Sequence, residues 1–334
     1  MTIRFALLGA GRIGKVHAKA VTANPAAKLV AVADPIEKAA NDIAAQYGCE
    51  VRTIEQILKS ADIDAVVICT PTDTHADLIE KFSGAKKAIF CEKPIDLSVK
   101  RVEECLKVVA KNKTILMVGF NRRFDPHFMA VKAVIAAGEI GAVEMVTIIS
   151  RDPGAPPIEY VKRSGGIFRD MTIHDFDMAR FLLGEEITTV SAQGSVLVDQ
   201  AIGEAGDYDS VSVMLSTASG KHASISNSRR ATYGYDQRIE AHGSKGSVAA
   251  ENQRAVSIEV ASAKGYTRPP LYDFFMTRYT EAYANEIAAF IDAIGGKAKA
   301  SPSGEDGLVA LVLAEAAVRS AREKRTIQTS EVSG

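Results

Sequence analysis

The chain has 334 residues, 47% of them hydrophobic and 24% charged. That length accommodates two domains of about 150 residues, and the balance is that of a globular protein rather than a disordered or fibrous one. Forty basic against forty-one acidic side chains leave a net charge of −1, which argues against a nucleic-acid partner gripped by a broad basic surface. No apolar run approaches the roughly 18 residues that a membrane-spanning helix needs, so no membrane partner is expected. Met1-Thr2-Ile3-Arg4 leads straight into an apolar run with no small-residue cleavage site, which favours a cytoplasmic location. Cys49, Cys69, Cys91 and Cys105 form no CxxC pair and read as buried structural thiols.

Strands and helices alternate through the first part of the chain. Ile3 to Leu8 is a β-rich apolar run, followed by Gly9-Ala10-Gly11-Arg12-Ile13-Gly14 and a helical pattern to Thr22. Lys28 to Asp34 is a second strand, and an alanine-rich helix follows it to Tyr47. Ala65 to Cys69, Ala88 to Cys91 and Ile115 to Gly119 are further strands, with helical stretches at His75 to Phe82 and Ser98 to Asn112. Continuous apolar strands separated by helices predict a parallel sheet covered on both faces, the doubly wound α/β Rossmann arrangement. Beyond residue 122 strand-like runs follow one another: Val143 to Ser150, Thr188 to Val196, Ser210 to Leu215, Ala223 to Ser228, Arg238 to His242 and Val256 to Val260. Two helices, Tyr279 to Ile294 and Glu305 to Arg322, close the chain. The expected organisation is therefore a nucleotide-binding domain over 1–122. An α+β domain over 123–334 follows, with an open, largely antiparallel sheet.

Gly9-x-Gly11-x-x-Gly14 follows a strand and opens a helix. Gly9 permits the tight turn, Gly11 a close approach of a pyrophosphate, and Gly14 close helix–strand packing. Asp34 ends the second strand about twenty residues further on, placed to accept ribose hydroxyls and to repel a 2′-phosphate. This predicts NAD as the cofactor, with Arg12 and Ile13 beside its phosphates; a purely structural glycine turn is the alternative. Glu92-Lys93-Pro94 lies at the carboxyl end of a strand, where ligands of such sheets bind. Lys93 there is either a cleft-facing ammonium that stabilises alkoxide character or a loop lysine paired with Glu92. Thr70-Pro71-Thr72 and His75 follow the preceding strand and face the same side. Asp170, His174 and Asp177 fall on one helical face. His174 reads either as a general base aided by a carboxylate or as a packed histidine behind a capping aspartate. The set lacks a second local His or Cys, so no metal is expected. Asn121 and Arg122 could bind substrate hydroxyls or form a charged hinge.

Taken together, these motifs resemble the glucose–fructose oxidoreductase/inositol dehydrogenase family. Gly-Ala-Gly-Arg-Ile-Gly at 9–14, Thr-Pro-Thr at 70–72, Glu-Lys-Pro at 92–94, Gly-Phe-Asn-Arg-Arg-Phe at 119–124 and Asp-x-x-x-His at 170–174 occur in the family's order. Arg-Arg-Phe-Asp at 122–125, Ile-His-Asp-Phe-Asp at 173–177 and Tyr-Gly-Tyr-Asp at 233–236 are most similar to its bacterial inositol-oxidising members. The resemblance implies NAD-dependent oxidation of a small polyol, myo-inositol to scyllo-inosose, in inositol catabolism. It implies His174 as general base, Lys93 polarising the reacting oxygen and Asp170 orienting His174 or a hydroxyl. Gly9, Gly11, Arg12, Ile13, Gly14, Asp34, Thr70, Pro71, Thr72, His75, Glu92 and Lys93 would hold the cofactor. Asn121, Arg122, Asp152 and one of Tyr233 or Tyr235 would hold the other hydroxyls, and the second sheet would assemble a homotetramer. A dehydrogenase of another inositol or of a pyranose is the alternative within the class, and a dinucleotide-sensing regulator the alternative outside it.

Overall fold

The computed structural model describes residues 2–332. Its packing divides into two compact units, Met1–Phe124 with Thr280–Leu311, and Asp125–Tyr279 with Val312–Gly334.

In the first unit six strands form one parallel sheet: β1 (Ile3–Leu8), β2 (Ala27–Ala33), β3 (Glu50–Val51), β4 (Ala65–Ile68), β5 (Ala88–Glu92) and β6 (Leu116–Gly119), in the order β3-β2-β1-β4-β5-β6. This is the predicted doubly wound sheet. All four residues of β4 and all five of β5 are buried, as a sheet covered on both faces demands. The order reverses direction between β1 and β4, so the carboxyl ends of these strands flank the point where such sheets bind ligands. The short strand β3 escapes sequence reading because both its residues are exposed.

The second unit holds a seven-stranded sheet of β7 (Val143–Arg151), β8 (Ile187–Ser195), β9 (Ser210–Thr217), β10 (His222–Ser228), β11 (Asp236–Gly243), β12 (Gly246–Ala250) and β15 (Ile327–Gln328). Its order is β12-β11-β7-β10-β9-β8-β15, antiparallel throughout except for the parallel β7–β10 pair. Burial alternates along β9 and β10: one face meets the core and the other is open. A separate hairpin joins β13 (Val260–Ser262) to β14 (Gly265–Thr267).

Two expectations are corrected. The run Val256 to Val260 is a strand only from Val260 onward. Its alternating Val256, Ile258 and Val260 are all exposed, so the period-two pattern there reflects no buried face. A division at residue 122/123 also assigns all the closing helices to the second domain. The helix Thr280–Ile294 instead packs on the helix Arg12–Ala23 of the first unit, burying Tyr283, Ile287 and Phe290. Among the described residues no helix is long and apolar enough to cross a membrane.

Candidate active site

In the first unit the glycine motif has the geometry that a dinucleotide requires. Gly9 has φ +98°, and a Cβ there would lie 2.5 Å from the Cys69 carbonyl oxygen. A Cβ on Gly14 would lie 2.1 Å from the Gly9 oxygen. Both positions are therefore closed to any side chain. Around Gly11, by contrast, a Cβ would meet nothing within 4 Å. The helix Arg12–Ala23 starts there with no side-chain cap, leaving first-turn N–H groups to an anion such as a pyrophosphate. Arg12 is exposed and Ile13 half-buried at this helix start. Asp34 accepts hydrogen bonds from the backbone N–H of Ala10 (2.6 Å) and of Ile36 (2.7 Å). Its carboxylate thus braces the glycine loop while keeping lone pairs for ribose hydroxyls.

The loops after β4 and β5 are tied to each other. Thr70 and Thr74 share a hydroxyl hydrogen bond of 2.6 Å, and the Thr74 hydroxyl also donates to the Pro71 carbonyl. Pro71 is exposed and Thr72 half-buried. His75 is buried, with Nε2 2.7 Å from the Thr70 oxygen and Nδ1 2.8 Å from the Pro94 oxygen. The predicted cofactor residue His75 is thus a strut between the two loops. Glu92 is buried and turned inward, Oε1 lying 2.6 Å from His17 Nε2 and Oε2 accepting from the Lys93 backbone N–H at 3.3 Å. Lys93 is half-buried. After β6, Asn121 and Arg122 are both 4% exposed. The Asn121 Nδ2 is buried with no hydrogen-bond partner among the described residues, a donor that a ligand hydroxyl would satisfy.

In the second unit, Phe168–Thr172 forms a single π-helical turn that runs into the helix Ile173–Leu183, a distortion frequent at functional sites. The turn carries Asp170 and the helix His174, which is half-buried. The Tyr160 hydroxyl donates to Asp170 Oδ1 at 2.8 Å, and both terminal nitrogens of Arg229 reach Oδ2 at 3.4 Å. Arg229 is 1% exposed and also lies 3.8 Å from Asp207, whose carboxylate accepts the Ile167 N–H at 3.0 Å. Burial pushes the Asp207 carboxyl up.

The residue after His174 anchors the helix. Asp175 is fully buried and accepts from Ser150 Oγ at 2.7 Å and from Asn227 Nδ2 at 2.8 Å. Asn227 in turn accepts from the Thr172 hydroxyl at 2.7 Å. The helix is thereby pinned to β7 and β10. Nothing local in the sequence announces Arg229, Tyr160 or Asn227, since their partners lie ten to nearly sixty positions away. Asp152 follows β7 and is half-buried, its N–H donating to the Ser228 carbonyl.

Tyr233 is a correction. It is 49% exposed, and its hydroxyl donates to Asp236 at 2.6 Å and accepts from Arg151 at 2.9 Å. Arg151 has the strand parity of the open face, opposite to Ser150. Tyr233 therefore lies with open-face residues such as Gln193 and Ser226, away from the face that carries His174. Tyr235 is buried against Phe274 and Tyr279. The cysteines are free, and burial pushes the thiols of Cys69 and Cys91 well up and that of Cys105 up to about 12. Among the described residues the one His and carboxylate cluster compact enough for a metal is His17, Glu92 and Glu286.

Residues 3–120 match the model of an oxidoreductase family with an NAD-binding Rossmann fold, and residues 128–249 match the GFO/IDH/MocA C-terminal domain. The chain belongs to the Gfo/Idh/MocA family of oxidoreductases. It is 74% identical over 327 residues to the inositol 2-dehydrogenase of Rhizobium meliloti, covering 98% of this chain and 99% of that one. Among solved structures, a myo-inositol dehydrogenase from Corynebacterium glutamicum superposes with TM-score 0.95 at 45% identity, covering 98% of this chain and 99% of that one. A scyllo-inositol dehydrogenase from Lactobacillus casei, with bound NAD(H) and scyllo-inositol, superposes with TM-score 0.92 at 30% identity, covering 99% and 100%.

Proposed function

We propose that this chain is an NAD-dependent dehydrogenase that oxidises the C-2 hydroxyl of myo-inositol to the ketone, scyllo-inosose, opening inositol breakdown. The observation that carries the reading is the His174 helix, with Asp170 braced by Arg229 and Tyr160 and Asp175 clamped by Ser150 and Asn227. Such bracing is what a group must have to meet one substrate hydroxyl reproducibly. The 74% identity to a protein named inositol 2-dehydrogenase supports the substrate.

NAD supplies the hydride acceptor, held by the Gly9–Gly14 loop, Asp34 and the loops at Thr70 and Glu92–Lys93. His174 takes the hydroxyl proton as the carbon gives up its hydride, and the Lys93 ammonium stabilises the alkoxide character that develops on the oxygen. Asp170 holds a neighbouring hydroxyl or orients the imidazole. Asn121 Nδ2 and Arg122 bind further hydroxyls of the ring, and Asp152 one more. The open sheet face, with Met145 and Met214 exposed among small polar residues, is where four chains assemble. Four free cysteines suit a reducing compartment such as the cytoplasm.

The test is NADH formation over a panel of myo-, scyllo- and D-chiro-inositol, glucose and xylose with NAD or NADP. Turnover is expected with myo-inositol and NAD, falling about 10²- to 10⁴-fold in His174→Ala. Turnover on scyllo-inositol or glucose alone would keep the chemistry and replace the substrate. Undiminished turnover in the variant would remove His174 as the base.

A further inference from the structure

The first unit buries a row of titratable side chains, His17, Glu92 and Glu286, of which the reaction above leaves His17 and Glu286 unused. His17, on the helix that the glycine motif opens, is fully buried between Phe90 and Tyr283, with ring centroids at 5.0 and 5.5 Å. Its Nε2 lies 2.6 Å from Glu92 Oε1, and its Nδ1 faces Glu286 Oε1 at 4.0 Å. Glu286 is itself fully buried, and neither of its carboxyl oxygens has a hydrogen-bond partner among the described residues. Burial, reinforced by Glu92, pushes its carboxyl well above the usual range, which favours the neutral acid.

These facts order the row. A carboxylate only accepts, so the short contact to Glu92 requires the hydrogen on His17 Nε2. Nδ1 is turned to the Glu286 carboxyl. The other Glu92 oxygen accepts the backbone N–H of Lys93 at 3.3 Å. Gly119 confines that carboxylate, since a Cβ there would sit 3.2 Å from it. A metal fits the cluster poorly: with Nε2 engaged by Glu92, only Nδ1 and one carboxylate remain, where a structural zinc takes about four ligands.

We propose that His17 is a positioning residue for Lys93: its Nε2–H holds the Glu92 carboxylate, which fixes the Lys93 backbone and so the direction of its ammonium. His75, bonded to the Pro94 carbonyl, secures the next residue. The strand end that carries Lys93 is therefore fastened to the helix of the glycine motif. The proposal rests on the dehydrogenase reading for its effect on rate, but not for its effect on Lys93 itself.

The experiment compares His17→Leu, which removes the donor, His17→Asn, whose amide is too short to reach Glu92, and His17→Gln, which restores a donor near the Nε2 position. Two readouts are taken. One is steady-state oxidation of myo-inositol. The other is the rate of reductive methylation of Lys93 in the protein without cofactor, followed by peptide mass spectrometry. The Leu and Asn variants are expected to lose at least about tenfold in kcat, with KM for NAD held within about threefold. Their Lys93 methylation rate should change by about threefold or more, and Gln should bring both readouts back towards the unsubstituted protein. Wild-type kcat and methylation in Leu or Asn, or a Gln variant no better than Leu, overturns the proposal. If the Leu variant does not fold, the contrast of Asn with Gln decides. Should the unsubstituted protein oxidise no inositol, the dehydrogenase reading fails by itself, and the methylation rates still decide the role of His17.

Discussion

Burial favours the protonated form of Glu286 in the fold, where the unfolded chain gives up that proton at ordinary carboxylate pH. Its folded pKa is raised by burial first and by Glu92 second. Between the unfolded and folded values the native state binds one more proton than the unfolded state. Stability from this group is therefore lost as pH rises through that window, by at most about 1.4 kcal/mol per pH unit. Glu286→Gln removes the titration while keeping the shape. Denaturant melts at pH 5 and pH 8 should show the unsubstituted protein losing more stability across the interval than the variant. Parallel losses would place a charged Glu286 in the folded chain. At this scale the sequence was legible where chemistry leaves one choice of residue. Gly9 and Gly14 are excluded from carrying a Cβ by backbone atoms under 3 Å away, whereas the bond from the Ala10 N–H to Asp34 was not among the expectations. The direction in which a side chain turns was not legible. Glu92 looks inward to His17 and Tyr233 outward to Arg151, and only tertiary neighbours decide such choices.

The element that matters most is the helix Ile173–Leu183. Its apolar residues bury one side, but polar bonds set its register on the sheet: Ser150 and Asn227 on the two parallel strands β7 and β10 both donate to Asp175. Asn227→Ala leaves Asp175 and the Thr172 hydroxyl each short of a buried partner. It should cost about 1–3 kcal/mol. Urea denaturation checks this, and a loss below about 0.5 kcal/mol would show the network to be dispensable. Apolar runs had marked β1, β2, β4, β5 and β6 almost to the residue, since a strand covered on both faces has a continuous signature. The π-turn at Phe168–Thr172 was not marked: Asp170 and His174 stand four apart in a plain helix too, and no residue type signals the wider turn.

At the level of the whole molecule, the two alternations of pattern, strand–helix and then strand–strand, identified both units. The return of Thr280–Leu311 to the first unit was hidden, because an amphipathic helix does not say which sheet it covers. The open face of the seven-stranded sheet belongs to this scale as well. If four chains assemble there, sedimentation equilibrium will give four times the mass of one chain, and a single-chain mass across the concentration range would discard the assembly. In the proposed reaction hydride leaves one ring carbon of inositol for NAD. This is tested most directly with myo-inositol carrying deuterium at C-2. The account predicts deuterium in the reduced cofactor and a ketone free of it at that carbon. Reduced cofactor without deuterium would contradict it.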